Sequence, residues 1–336
     1  MSLSTGAGPF RNAAEGERRD ARNLRVSVLV MTYNHGKLIR QAIDSVLAQH
    51  SSFDYEIVIS EDCSTDGTRE TVMEYGTRFP DRIRLLLSER NLNSLAVVSR
   101  GIRACRGEFI ALLDGDDYWT NPAKLQLQVE FLDSHPECSA CFHNATAVYP
   151  ESDRAAHDWT ARGQKDFMTL QDIWRGNPIA TSSLMFRSGL YELPPWYDRM
   201  PMPITDWPLH VLNAEHGTIG YIDHVMSAYR IHGGGTYSRL DELTKLEKRF
   251  AFYRQMNRNM NYRCDASARN GLFLYFLEWA EAYRERGELG NARFCAWKCL
   301  SGRPIRRAAY QRLLRVWTWV FRESARQTMP AVFVGR

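Results

Sequence analysis

The first third of the chain alternates short apolar runs with segments of helical spacing. Arg25–Thr32 is dense in β-branched residues, as buried strands are, and Tyr55–Ser60 and Glu108–Leu113 are two further apolar runs that predict strands. Between them, Leu38–Leu47 places its apolar residues on one face of a helix, and Thr68–Gly76 continues the alternation. Strands that alternate with helices predict an α/β fold with a mainly parallel, doubly wound, Rossmann-like sheet.

Polar clusters follow the three predicted strands directly. They are Thr32-Tyr33-Asn34-His35, Glu61-Asp62-Cys63-Ser64, and Asp114-Gly115-Asp116-Asp117. Ligands of doubly wound sheets bind beyond the carboxyl ends of the strands. We therefore expect the three clusters to meet in one site.

The last of these clusters, residues 114–117, carries three carboxylates in four residues, which repel one another unless a cation or a solvated loop relieves them. Because the cluster follows a buried strand, a cation is the better fit, and carboxylate oxygens suit Mg²⁺ or Mn²⁺. A nucleotide diphosphate would fill the remaining coordination positions. The alternative is an acidic turn that caps a helix beginning near Asn121-Pro122.

Two residues farther along are candidates for the same site. Asp206 precedes Trp207 and Pro208, so it is either a proton acceptor beside a large aromatic ring or the cap of a helix, and the spacing favours neither. His232 precedes three glycines, which predicts a flexible segment that begins at a metal ligand. A single histidine is more often structural, so that signal is weak on its own.

Other chemistries lack parts of their motifs. The acidic loop that begins at Asp62 starts like a calcium loop, but Met73 stands where the twelfth position requires a glutamate. The sequence contains no G-x-x-x-x-G-K-[ST], no G-x-G-x-x-G and no G-x-S-x-G, which argues against ATP, dinucleotide and serine-hydrolase sites. Cys138 and Cys141 form a C-x-x-C without a second ligand pair, so we expect them on an apolar strand.

The chain changes character after about residue 150. Polar and proline-containing segments fill residues 150–210, Tyr221–Tyr229 is a predicted strand, and the sequence is helical beyond about residue 240. Helical spacing over residues 272–300, broken at Gly287, predicts a helical hairpin. We expect three parts, namely a flexible leader over residues 1–23, an α/β domain over 24–238 and a helical region over 239–336.

Positive charge is concentrated at the C-terminal end. The whole chain carries +4, whereas residues 301–336 contain eight arginines and a single acid, Glu323. An excess at one end, without a basic groove, argues against a nucleic-acid partner. Apolar and aromatic residues interleave with these arginines. The segment therefore packs on the core, joins a second subunit in a homodimer, or lies on an anionic membrane surface.

The composition is that of a globular protein, with 44% hydrophobic residues and no run of 18 or more apolar residues. Residues 1–22 lack the apolar centre of a signal peptide. We therefore expect a cytoplasmic protein, with peripheral contact at the inner face of the membrane if the basic segment binds lipid.

Five segments in order resemble the inverting, nucleotide-sugar-dependent glycosyltransferase family 2, whose fold is GT-A. They are VSVLVMTYNHGKLIRQAIDSVLAQ, EIVISEDCSTDGT, GEFIALLDGDDYW, DWPLH and YRIHGGG, and the resemblance covers roughly residues 24–235. The resemblance implies a role for each matching residue. Thr32, Tyr33 and Asn34 cradle the base and ribose, and Glu61 or Asp62 binds the base. Asp114-Gly115-Asp116 is the D-x-D motif at the donor, with Asp114 at the ribose or sugar. Asp116 and His232 bind the metal ion, and Asp206 is the general base.

The resemblance also implies an activity, the metal-dependent transfer of a sugar from a nucleotide diphosphate donor to an acceptor hydroxyl with inversion. A UDP-sugar is the favoured donor, although Glu61 replaces a common aspartate and leaves the base open. The acceptor is a glycan, a lipid-linked glycan, a natural product or a peptide. One alternative, a pyrophosphorylase-like nucleotidyltransferase, lacks its glycine- and arginine-rich loop here. Another, a non-catalytic nucleotide-sugar binding protein, would tend to lose the D-x-D motif or the base.

Overall fold

The computed structural model describes residues 24–160, 162–200, 206–235, 237 and 239–328, so the predicted leader lies outside the described residues. The strands are β1 Leu24–Thr32, β2 Asp54–Glu61, β3 Ile83–Leu87, β4 Phe109–Asp114, β5 Tyr118–Trp119, β6 Cys138–Val148, β7 His157–Asp158, β8 Phe167–Met168, β9 Met185–Arg187 and β10 Thr218–Arg230. The helices are α1 Ile39–Leu47, α2 Thr68–Arg78, α3 Ala96–Ala104, α4 Lys124–Ser134, α5 Leu170–Arg175, α6 Trp207–Ala214, α7 Glu242–Asn259, α8 Asp265–Glu285, α9 Leu289–Cys299 and α10 Ala308–Thr328.

One mixed sheet organises these elements, in the strand order β3-β2-β1-β4-β9-β6-β10-β5, with β7 on β6 and β8 on β10. The half β3-β2-β1-β4 is parallel throughout, and β6 runs parallel to β10. The three-residue strand β9 lies antiparallel between β4 and β6. The mainly parallel sheet is therefore confirmed. The antiparallel strand β9 comes from a region in which the sequence pattern predicted no regular sheet.

Alternate residues of β1 face two different hydrophobic cores. Val26, Val28 and Val30 point into the core that includes the apolar face of α1. Leu29 and Met31 point into the other core. Because successive side chains of a strand lie on opposite faces of the sheet, a run of apolar residues fills both layers at once.

The C-terminal helices α7–α10 belong to the second of these cores. Trp207 of α6 stacks on Phe252 of α7 with 4.5 Å between the ring centroids, and the hydroxyl of Tyr253 donates to the carbonyl oxygen of Trp174 at 2.8 Å. A Cβ at Gly271 of α8 would lie 2.0 Å from that same carbonyl oxygen, so only glycine allows this approach. The predicted change to helical structure is found, and the core continues across the predicted domain boundary.

The predicted helical hairpin is formed by α8 and α9. Tyr283, Ala292 and Ala296 are buried at the contact between the two helices. Gly287 makes the turn with a φ of 76°, a left-handed conformation that glycine adopts without strain. The hairpin packs on α5 and on the final helix α10.

Strand β6 carries the C-x-x-C pair through the interior. Cys138 and Cys141 are buried free thiols, and burial raises the pKa of Cys141 to about 12. The nearby ring of His143 is buried as well, with Nδ1 at 2.8 Å from the carbonyl oxygen of Asn144. The expected apolar strand is confirmed.

Candidate active site

The carboxyl ends of β2, β1 and β4 lie side by side. In the strand register Thr32 of β1 is opposite Glu61 of β2, and Met31 is opposite Asp114 of β4. The backbone N–H of Gly115 donates to the carbonyl oxygen of Met31 at 2.8 Å. The structure therefore brings the three predicted polar clusters together at one end of the sheet.

Gly115 allows the acidic turn to lie against the end of β1. A Cβ at this position would stand 2.6 Å from Oγ1 of Thr32 and 2.8 Å from Nδ1 of His35. These two atoms are already within 3.2 Å of each other. The acidic turn therefore packs against Thr32 and His35 only because residue 115 is a glycine without a Cβ.

The loops after β1 and β2 are tied to each other. Asn34 has a left-handed backbone with φ of 56°, its N–H donates to Oγ of Ser64, and its Oδ1 accepts from the N–H of Thr65, both at 2.9 Å. The N–H of Gly36 donates to the Asp66 carboxylate at 2.9 Å. The ring of Tyr33 is left 42% exposed beside these bonds.

The two acids at the end of β2 differ in how many of their carboxylate oxygens already accept a short hydrogen bond from the protein. Glu61 is buried, and its carboxylate accepts from a loop N–H at 2.5 Å and from Nε of Arg69 at 2.7 Å. Asp62 uses Oδ1 to accept from the N–H of Leu92 at 2.9 Å. Its Oδ2 has, among the described residues, only a long contact of 3.4 Å with the N–H of Asn93. Asp62 is therefore the acid that can accept a further hydrogen bond.

Two histidines converge on one oxygen of Asp116. Nε2 of His232, just beyond β10, lies 3.1 Å from Oδ2 of Asp116, and Nε2 of His35 lies 3.5 Å from the same atom. Burial by itself would raise the pKa of Asp116, but the hydrogen bond to His232 and the charges of both histidines hold it below its ordinary value. The same hydrogen bond raises the pKa of His232, whereas burial lowers that of His35.

The other two carboxylates of the turn are buried close to Asp116. Burial, followed by the charges of Asp116 and Asp206, raises the pKa of Asp114 to about 8. Burial and the charges of Asp116 and Asp114 raise the pKa of Asp117 well above its ordinary range, although the N–H of Arg230 donates to it at 2.8 Å. The repulsion predicted from the sequence is therefore present, and it is concentrated on Asp114 and Asp117.

The acidic turn does not cap the helix that follows it. Helix α4 begins at Lys124, and the side chain that accepts a backbone N–H just before it is Asn121, from Ala123 at 2.8 Å. Between the turn and this helix, strand β5 pairs with β10. This pairing places the acidic turn beside the end of β10 and hence beside His232.

Arg230, the last residue of β10, holds the acidic turn in place. Its buried guanidinium donates to the backbone carbonyl oxygen of Asp116 and to Oε1 of Gln41. It also lies 4.4 Å from the centroid of the Tyr118 ring. The conformation of the turn is thus fixed by a residue two positions before His232.

Asp206 lies at a helix N-terminus and close to the acidic turn. Its Oδ1 accepts the N–H of Trp207 at 2.8 Å, so the helix-cap interpretation is confirmed, and its Oδ2 accepts from Nδ2 of Asn177 at 3.0 Å. Its charge contributes to the raised pKa of Asp114, which places the two carboxylates near each other. The ring of Trp207 is buried in the core, so the aromatic ring that follows Asp206 in the sequence is not exposed at the site.

Three residues at this site, namely Asn177, Tyr229 and Arg230, escaped the sequence prediction, and His35 was placed in a polar cluster but given no role. Burial and the charges of Asp117, Asp114, Asp116 and Asp206 raise the pKa of Tyr229, which indicates that its hydroxyl lies near all four acids. His35 and Arg230 stand inside segments that the sequence had marked, so proximity to Asn34 and His232 was an available signal. Nothing local marks Asn177, which reaches Asp206 from 29 residues away.

Asp116 and His232 fit a divalent cation. Within the described parts of the chain, no group of three or more His, Cys, Asp or Glu side chains could hold a metal ion alone. Magnesium and manganese ions, however, are commonly bound by one or two side chains together with phosphate oxygens and water. A carboxylate with a lowered pKa and an imidazole nitrogen 3.1 Å from it are donors of that kind.

Comparison with known proteins identifies the family. Residues 27–193 match the family described as Glycosyl transferase family 2. An uncharacterized protein of Mycobacterium tuberculosis is 36% identical over 215 residues, which cover 63% of this chain and 60% of that protein. The chain therefore spans about 60% of the length of this relative.

Solved structures share the fold. Residues 1–349 of TarS from S. aureus, in complex with UDP-GlcNAc, superpose with a TM-score of 0.51 at 19% identity, covering 81% of this chain and 90% of that one. The mannosyltransferase PcManGT from Pyrobaculum calidifontis, in complex with GDP-Man and Mn²⁺, gives a TM-score of 0.51 at 15% identity, covering 90% of this chain and 87% of that one. At such identities the likeness concerns the fold alone, and it agrees with the predicted GT-A architecture. Through residues 27–193, the chain belongs to glycosyl transferase family 2.

Proposed function

We propose that the protein is an inverting, metal-dependent glycosyltransferase that moves a sugar from a UDP-sugar to a hydroxyl of a glycan-type acceptor. The observation that carries this proposal is the meeting of the acidic turn, His232 and Asp206 at the carboxyl ends of the strands. A departing diphosphate requires neutralisation of negative charge, and an acceptor hydroxyl requires a proton acceptor. This site offers residues for both tasks.

Tyr33 and Asp62 are the residues we propose for the nucleoside. The Tyr33 ring is exposed beside the end of β1, where a base can stack on it. Oδ2 of Asp62 can accept the N–H that uracil presents on its pairing edge. The presence of UDP-GlcNAc in the TarS structure supports a uridine donor, while GDP-Man in PcManGT shows that the base varies within this fold.

Asp116 and His232 would hold a Mn²⁺ or Mg²⁺ ion at the diphosphate of the donor. Such an ion supplies positive charge that stabilises the departing nucleotide diphosphate. Arg230 keeps the backbone of Asp116 in position for this contact. Asp114, two residues before Asp116, is the carboxylate we place at the ribose or sugar.

Asp206 is the proposed general base. Hydrogen bonds from Asn177 and from the N–H of Trp207 fix the orientation of its carboxylate, and each oxygen retains a further lone pair for the acceptor hydroxyl. As the acceptor oxygen attacks the anomeric carbon, its proton passes to Asp206 and the bond to the diphosphate breaks. A single displacement of this kind inverts the anomeric configuration. A positioned base typically contributes about 10²–10⁴-fold to the rate.

The variant Asp206→Asn tests this assignment without removing the helix cap, because asparagine caps helices as well as aspartate does. We expect sugar transfer to fall by about 10²–10⁴-fold while the affinity for UDP with Mn²⁺, measured by thermal shift, is unchanged. Asp241→Asn is the matched control, since Asp241 caps α7 through the N–H of Thr244 at 2.9 Å. Normal turnover by Asp206→Asn, or an equal loss in both variants, contradicts the base assignment.

The donor assignment needs a separate measurement. Uridine, guanosine and adenosine diphosphates are compared by thermal shift, each with and without Mn²⁺, in the wild type and in Asp116→Asn. We expect metal-dependent stabilisation by UDP that Asp116→Asn abolishes. Stabilisation by GDP instead would refute the uridine donor, and no response to any nucleotide would refute the transferase proposal.

A further inference from the structure

Helix α10 uses one face to pack on the rest of the protein. Ala309, Leu313, Val316 and Val320 are buried in the second core, at the spacing of a single helical face. Arg312 beside them forms an ion pair with Glu281 of α8. Packing on the core, one of the three arrangements that the sequence left open, is therefore found for one side of this helix.

A second apolar stripe runs along α10 about 100° around the helix from the buried face, since each of its residues follows a buried one by one position. It consists of Tyr310, Leu314, Trp317 and Phe321, which recur at intervals of four, three and four residues and so share one face. Trp317 is partly buried against the second core, whereas the other three are exposed. Leu314 is 64% exposed and Phe321 is 68% exposed, values that are high for large apolar side chains. On the preceding helix α9, Trp297 is 65% exposed. Exposed apolar residues that share one helix face, as Tyr310, Leu314 and Phe321 do, mark an interaction surface.

Unpaired arginines border this stripe. Arg315 and Arg322 lie to one side of it on the helix, and Arg306 and Arg307 stand just before its first turn, all exposed. Among the described residues none of these four forms an ion pair, in contrast to Arg312 and Arg326 of the same helix. The surface defined by the four arginines and the apolar stripe, termed here the α10 outer face, is therefore both apolar and strongly positive.

We propose that the α10 outer face docks on an anionic lipid surface. Aromatic and aliphatic side chains insert at the boundary between headgroups and acyl chains, while the arginines meet the negative headgroups. No helix within the described residues is long and apolar enough to cross a membrane, so the contact is peripheral. A second copy fits less well. Two-fold pairing of this face would bring the arginines of both subunits together without acids to balance them.

Vesicle flotation with the full chain tests the proposal independently of sugar transfer. The wild type should float with phosphatidylglycerol vesicles and remain at the bottom with phosphatidylcholine vesicles. Arg315→Ala combined with Arg322→Ala should lower the partition coefficient by about 30-fold, since each arginine near an anionic surface contributes about 1 kcal/mol. Leu314→Ser combined with Phe321→Ser should abolish flotation.

Matched controls separate this surface from general effects of charge and apolarity. Arg82 and Arg106 are exposed and far from α10 in sequence, and Met73 is an exposed apolar residue of α2. The double variant Arg82→Ala with Arg106→Ala, and the single variant Met73→Ser, should therefore float as the wild type does. All changes are on exposed side chains, and circular dichroism confirms that each variant is folded. Failure of the wild type to float, or unchanged flotation of the α10 variants, overturns the proposal. So does a dimer in sedimentation analysis that Leu314→Ser with Phe321→Ser dissociates while vesicles are not bound.

Discussion

Lys124 is a fully buried lysine at the first position of α4, and its replacement by methionine gives a sharp test of the structure. Its Nζ has no hydrogen-bond acceptor among the described residues and lies 3.9 Å from the centroid of the Trp119 ring. The N-terminal end of a helix is also unfavourable for a positive charge. Methionine has nearly the same length and no charge, so Lys124→Met keeps the packing and removes the buried ammonium group.

The magnitude follows from the pKa. Burial lowers the pKa of Lys124 from 10.5 to about 7, whereas the unfolded chain retains the ordinary value. Between these two pH values the unfolded state binds more protons, so the stability of the wild type rises with pH through that window. The penalty for burying the charge is fully present below pH 7 and declines by about 1.4 kcal/mol per pH unit above it. Between pH 7 and pH 9 we expect a gain of about 2 kcal/mol from this residue.

Urea denaturation of the wild type and of Lys124→Met at pH 7, 8 and 9 measures this effect directly. We expect the variant to be the more stable protein at pH 7 and its advantage to shrink by about 2 kcal/mol at pH 9, because every other titrating group is common to both. Lys37→Met removes an exposed lysine and is the matched control for the loss of one positive charge. If the difference in unfolding free energy between Lys124→Met and the wild type stays constant with pH, burial does not lower the pKa of Lys124, and the reasoning fails.

Three further substitutions, with Gly290→Ala as a control, test other parts of the structure. Arg230→Ala removes the donor to the carbonyl of Asp116. It should lower the free energy of unfolding by about 2–4 kcal/mol in urea denaturation and the transfer rate by about 100-fold. A variant with wild-type turnover contradicts the positioning role. Gly115→Ala puts a Cβ 2.6 Å from Oγ1 of Thr32 and should lower transfer by about 100-fold. Gly290→Ala, where nothing lies within 4 Å, should leave transfer unchanged, and equal rates in the two variants would refute the packing argument. Gly271→Ala should lower the free energy of unfolding by about 1–3 kcal/mol, because its Cβ meets the carbonyl of Trp174 at 2.0 Å, and unchanged urea denaturation would contradict that contact.

The parallel half of the sheet and the position of the site could be predicted because their signals are local. β-branched runs such as Arg25–Thr32 mark buried strands, and the polar residues that follow each strand mark its carboxyl end. In a parallel sheet these ends necessarily lie together, so the meeting of Thr32, Glu61 and Asp114 needed no knowledge of distant contacts. The hairpin at Gly287 was also predicted from a local signal, namely helical spacing that is broken at a glycine.

The remaining features depend on contacts between distant parts of the chain. Strand β9 has three residues, too few to show a period, and exists because β4 and β6 offer it partners on both sides. Asn177 is an ordinary loop residue until the fold carries it to Asp206. The two interpretations of Asp206 were not exclusive, since the cap uses one lone pair of the carboxylate and leaves others available.

The place of β9 in the sheet has a consequence for synthesis on the ribosome. When the chain has emerged only as far as β6, the strands β4 and β6 each have an unpaired edge of backbone N–H and C=O groups. In the folded protein these edges pair with Met185–Arg187. Unpaired edges of buried strands are templates for association with other chains. The nascent protein therefore passes through an interval in which the parallel strands β3-β2-β1-β4 and the strand β6 have both been made but are not yet joined. Fragments that end before residue 185 are expected to aggregate, whereas the intact chain closes the sheet with three residues.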